Sequence, residues 1–155
     1  MRIRMPICIG RFAAFSGLMW FLAVPAVAAD GTLPWSFVNG SARGYSIHLE
    51  SASPVPGTPL HVGETIAFKI SVSYRLTIAE KGTVIVVLQD DHDKSLSAGN
   101  PQQNQTVPRG DGTVTLEQSF VVPANVNEVR LFIPLVPDGL THTDGELVLR
   151  YPVSP

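Results

Sequence analysis

From Thr65 to Leu76 the chain alternates without a break. Ile66, Phe68, Ile70, Val72, Tyr74 and Leu76 take one set of positions, and Ala67, Lys69, Ser71, Ser73 and Arg75 take the other. A period of two sends one set to a core and the other to water, the signature of a strand with one buried face. The same pattern recurs in Tyr45, Ile47 and Leu49, in Val114, Leu116, Phe120 and Val122, in Val129, Leu131 and Ile133, and in Leu147, Leu149 and Tyr151. Thr83 to Gln89 is apolar on both sides (Val84, Ile85, Val86, Val87, Leu88), which predicts a central strand. Composition agrees. Residues 30–155 hold 16 Val against 6 Ala, and β-branched residues favour strands where Ala favours helices.

Eleven Pro and eleven Gly punctuate the same region and leave little room for a helix. Turn chemistry separates the strands at Pro56-Gly57, Val62-Gly63, Lys81-Gly82, Arg109-Gly110-Asp111-Gly112, Pro137-Asp138-Gly139 and Asp144-Gly145. Six strands follow from the alternation, with a short seventh around Gln105 to Val107. Many short strands and no helix pattern predict an all-β sandwich or barrel. Residues 30–43 show no stable period and read as a lead-in, with Trp35 and Phe37 docking somewhere on the domain.

The run Pro56-Gly57-Thr58-Pro59-Leu60-His61-Val62-Gly63-Glu64-Thr65-Ile66 resembles the segment that leads into an alternating strand in bacterial immunoglobulin-like and fibronectin-III-like extracellular modules. Phe120-Val121-Val122-Pro123, followed by a strand at Val129 to Ile133, is similar to their later strands. The resemblance covers residues 44–153 and implies an immunoglobulin-like antiparallel β-sandwich of about seven strands. It departs from antibody-type domains, having no cysteine pair and no Trp near Ile85. Such folds host many functions, so the resemblance implies an architecture and no chemistry.

The first 29 residues read differently. Arg2, Arg4 and Arg11 precede an apolar run from Phe12 to Val24, then Pro25 and Ala26-Val27-Ala28-Ala29, and no acid occurs before Asp30. This is the pattern of a cleavable signal peptide, with cleavage after Ala28 or Ala29. The run is short of the roughly 20 apolar residues a spanning helix needs, so no membrane span is expected after cleavage. The expected organisation is a signal peptide at 1–29, a lead-in at 30–43 and an immunoglobulin-like domain at 44–155, exported to the periplasm or secreted.

Removing the leader sharpens what the composition excludes. Cys8 and all three Met lie within it, so residues 30–155 contain no sulfur and no thiol or disulfide chemistry. Eight Lys and Arg then stand against 13 Asp and Glu, a net charge of −5, which argues against nucleic-acid binding.

Two clusters carry possible chemistry. Asp90, Asp91, His92 and Asp93 directly follow the central strand, and three carboxylates with an imidazole suit a hard cation such as Ca²⁺, although the spacing of an EF-hand loop is absent. Asp138, His142 and Asp144 lie between the last two strands, where a His-x-Asp pair suits a transition metal or an acid–base role. No nucleophile elbow or zinc-protease motif accompanies them. Ser95 to Arg109 reads as a long polar connection able to meet a polar surface or a glycan, and Asp111 as a turn residue. Glu146 to Val153, the final predicted strand, is a candidate open sheet edge. The expectation is a non-enzymatic binding, accessory or structural module, without a cofactor, that meets another envelope or secreted protein through loops or a sheet edge. The alternative is a cation- or carbohydrate-binding module using residues 90–93 or 95–109.

Overall fold

The computed structural model describes residues 35–38, 44–96 and 103–155. Every element in them is a strand: β1 (Trp35–Val38), β2 (Tyr45–Ser53), β3 (Leu60–His61), β4 (Thr65–Asp90), β5 (Gln103–Val121), β6 (Glu128–Pro137) and β7 (Glu146–Ser154). The all-β expectation holds, with no helix among the described residues. The expected signal peptide at 1–29 lies outside them.

Alternation is visible as burial. In β4, Ile66, Phe68, Ile70, Val72, Tyr74 and Leu76 are buried, and after the midpoint so are Val84, Val86 and Leu88. The two apolar runs predicted as separate strands are one strand of 26 residues. Lys81-Gly82 is therefore no chain reversal. The discontinuity lies in the pairing with β5, where Leu76 faces Gly110 and Lys81 faces Pro108, so Thr77 to Glu80 stand opposite Arg109 alone. Gly44 ties this irregularity to the start of β2, its carbonyl accepting from Thr77 N–H (2.8 Å) and Thr77 Oγ1 (2.6 Å).

The irregularity divides the pairing into two groups. Before it, β4 lies between β2 and the second half of β5, as in Ile47 opposite Tyr74 and Tyr74 opposite Gly112. After it, β4 lies between the first half of β5 and β6, as in Val84 opposite Gln105 and Leu135. β6 pairs with β7. β7 in turn pairs antiparallel with β1, and parallel with β3 through Leu60–Val153 and His61–Ser154. Among the described residues, one pair is thus parallel in an otherwise antiparallel network.

Both groups feed one core. Ile47, Ile70, Val72, Leu131, Ile133, Leu135, Leu147, Leu149 and Tyr151 are wholly buried and belong to a single cluster. Phe68 and Tyr151 sit on strands that do not pair, yet their rings approach to 5.0 Å between centroids. Fully burying one such aliphatic or aromatic side chain contributes about 1.5–3 kcal/mol. Tyr151 Oη donates to Pro54 O (2.9 Å), satisfying the one polar atom of a buried ring.

Several expectations change with this topology. The lead-in at 30–43 contains a strand, since Trp35 to Val38 pairs with Glu146 to Leu149. The short strand expected around Gln105 to Val107 is the start of β5, which takes in all of residues 103–109; only Val107 of them is buried, so alternation marked no more than that core. The Arg109 to Gly112 turn is also strand, because Gly110 at φ 115° bends the backbone without reversing it. Asp111 therefore serves no turn and instead lies 3.9 Å from Arg75.

Candidate functional site

Asp90 to Lys94 close a tight turn at the end of β4. Asp90 Oδ1 accepts from the backbone N–H of His92 (2.9 Å) and of Lys94 (2.8 Å), the side chain standing in for a turn carbonyl. Asp90 N–H donates to Lys94 O (2.9 Å), and Asp93 N–H to Asp90 O (3.2 Å). Asp93 takes φ 59°, a left-handed conformation that Asp tolerates better than most residues.

The other carboxylates of the turn reach across to residues beyond the sequence neighbourhood. Asp91 Oδ2 accepts from Asn127 Nδ2 (2.9 Å), while Oδ1 lies 3.1 Å from His92 Nδ1. The Asn127 bond, more than the nearby imidazole, holds the Asp91 carboxyl below its ordinary range. Asp93 Oδ1 accepts from Arg130 Nη1 (2.7 Å). Arg130 Nε donates to Glu128, which also lies 3.8 Å from Arg150 Nη1. Hydrogen bonding to Glu128, and then to Asp93, raises the affinity of Arg130 for its proton against a burial that lowers it.

Asp90, Asp91 and His92 can each bring one donor atom within 4.8 Å of the others. Asp93 stands outside this group, held by Arg130. Three donors fall short of the six to eight oxygens Ca²⁺ takes, and a cation here competes with Asn127 and two backbone N–H groups.

The second cluster is not such a group among the described residues. Asp138 pairs with Lys81 (3.4 Å) on the turn after β6. His142 is exposed. The Asp144 backbone N–H donates to Tyr45 Oη (2.9 Å), and Thr143 Oγ1 donates to Leu135 O (2.6 Å), so this connection is fastened to the ends of β2 and β6. Glu146 beyond it is raised above the usual carboxylate range, first by burial and then by the charge of Asp144.

Sheet edges differ most from expectation. Glu146 to Val153 is an interior strand, with β6 on one side and β1 and β3 on the other. The strands paired on one side only, among the described residues, include β2 and β5. β2 carries a register shift between Leu49 and Ser51 and the exposed residues His48 and Glu50, features that discourage strand addition. β5 offers 19 residues, well above the ordinary strand length of about five or six. It has no Lys, and no Pro between Pro108 and Pro123. The acids on its second half are drawn toward β4, Asp111 to Arg75 and Glu117 to Lys69 (3.1 Å). Of the polar stretch Ser95 to Arg109, Ser95 bridges to Gln89 and Leu96 packs on the core, while 97–102 lie outside the described residues.

No known protein-family profile matches the sequence, and no curated protein matches it. Among solved structures, the chain is similar to a β-glucosidase from Listeria innocua solved in complex with isofagomine. The likeness has 18% identity and a TM-score of 0.42 over 72% of this chain. This chain spans 16% of that chain.

Proposed function

We propose that the chain is an exported, non-enzymatic binding or structural module with an immunoglobulin-like β-sandwich, and that it binds by strand addition along β5. The strand order supports the architecture. β2, the first half of β4 and the second half of β5 correspond to one sheet of such a sandwich. The first half of β5, the second half of β4, β6 and β7 correspond to the other. Export rests on the Arg2 to Ala29 leader pattern.

The observation that carries the binding reading is that β5, among the described residues, is paired along one side only. An unpaired edge presents a row of backbone N–H and C=O groups, and another extended segment satisfies them. The test is cross-linking in the envelope fraction with a tagged chain, wild type against Thr115→Lys, which sets an ammonium on the exposed edge. A cross-linked species, another protein or a second copy, that disappears in the variant is the expected result. No such species, or one indifferent to the substitution, overturns the reading.

The convergence of Asp90, Asp91 and His92 favours a second reading, cation capture at the end of β4. A ligand that binds the native state raises the unfolding midpoint. Melts with millimolar Ca²⁺, Zn²⁺ or Cu²⁺ against EDTA decide it: a rise abolished by Asp91→Asn supports capture, and no shift with any ion removes it.

A further inference from the structure

We propose that the segment Gly112 to Gln118 of β5 pairs antiparallel with the same segment of a second copy of this chain, about a two-fold axis through Thr115. The inference rests on the edge reading above and names the occupant.

The argument is one of self-complementarity. An axis through Thr115 sets Val114 of one copy opposite Leu116 of the other, twice, on the side that faces the core. On the outer side it sets Thr115 opposite Thr115 and Thr113 opposite Glu117. Threonine pairs and apolar pairs are favourable cross-strand neighbours, and no like charges face each other. Moving the axis to Glu117 would oppose two carboxylates. Moving it to Leu116 would oppose Val114 to Gln118, a buried polar side chain. Thr115 is the position where pattern and charge agree.

Charge also permits the approach. Residues 30–155 are acidic overall, which disfavours self-association, but the one acid of this segment, Glu117, lies 3.1 Å from Lys69 of β4, and Asp111 just before it lies 3.9 Å from Arg75. Apart from Glu117, the exposed side chains of the segment, Thr113 and Thr115, are short. Pairing would extend β2, β4 and β5 into a continuous six-stranded sheet across the two copies, closing both open sides of β5 over this length.

The experiment uses the full chain carrying Cys8→Ser, so that any introduced thiol is unique. Sedimentation velocity over a concentration series is expected to show a reversible dimer, and Thr115→Lys to leave only monomer with an unchanged unfolding midpoint at low concentration. A T115C variant is expected to form an intermolecular disulfide rapidly with a mild oxidant, because directly opposed residues bring their Cβ atoms to about 4.5–5.5 Å. Ser53→Cys on the edge of β2 serves as the slow control. A wild-type chain that stays monomeric, a dimer unmoved by Thr115→Lys, or a T115C variant no faster than the control overturns self-pairing. If a different protein is still captured from the envelope through β5, the edge reading survives without it; if nothing is captured, both fall.

Discussion

At the scale of single residues, two tyrosines show how little slack the core leaves. A Cβ built on Gly112 would stand 2.7 Å from Tyr74 Oη and 2.8 to 2.9 Å from its ring carbons. The Tyr74 ring is 7% exposed, so it has nowhere to retreat without disturbing its neighbours. Gly112→Ala is expected to cost about 1–3 kcal/mol, the usual penalty for overpacking, read from urea unfolding. Tyr151 has the opposite problem, a polar atom in an apolar place. Tyr151→Phe removes the bond to Pro54 O and is expected to cost about 1 kcal/mol at neutral pH. Burial also pushes the Tyr151 phenol above its ordinary value of 10.0. The unfolded chain therefore ionises first as pH rises. The contribution of the neutral phenol is intact below pH 10 and is lost as pH climbs from there toward the folded value. Stability measured across this alkaline range should fall less steeply in Tyr151→Phe than in the wild type.

At the scale of elements, length is a poor guide to importance. β3 has only two residues, yet Leu60 is 1% exposed and its strand joins β7 in a parallel pair. Leu60→Ala is expected to cost about 2–5 kcal/mol, as much as a core leucine on a long strand, with the same unfolding measurement as the check. The elements legible in the sequence were those that bury one face: Thr65 to Leu76, Glu128 to Val136 and Glu146 to Val153 announce themselves because packing demands the alternation. Gln103 to Arg109 gave only a short strand around Gln105 to Val107, since only Val107 among them reaches the core. Gly110-Asp111-Gly112 misled because glycine serves a bend inside a strand as readily as a reversal between two. The candidate metal turn was legible only in its local part. Adjacency places Asp90 near His92, but Asn127 and Arg130, which claim Asp91 and Asp93, come from the approach to β6 and from β6 itself. No local pattern reveals partners 36 and 37 residues away.

At the scale of the whole molecule, β4 joins the two groups of strands and β7, late in the chain, closes one of them. β7 bonds to β6, to β1 and to β3, and it contributes Leu147, Leu149 and Tyr151, all wholly buried. Backbone bonds from Gly57 N–H to Arg150 O (2.8 Å) and from Val62 N–H to Ser154 O (3.1 Å) bind segments from the first half of the chain to the same strand. A chain ending at Asp144 is expected to show no cooperative unfolding transition by circular dichroism, whereas loss of the last residue, Pro155, should leave the transition in place. This dependence has a consequence for how the protein is made. Synthesis delivers a polypeptide amino end first, so β7 is the last of the seven described strands to emerge. Until it does, the preceding residues lack the partner that would lock them. A growing chain of this kind is expected to stay loose while its first strands emerge, and to close its core in one late step once β7 is in reach.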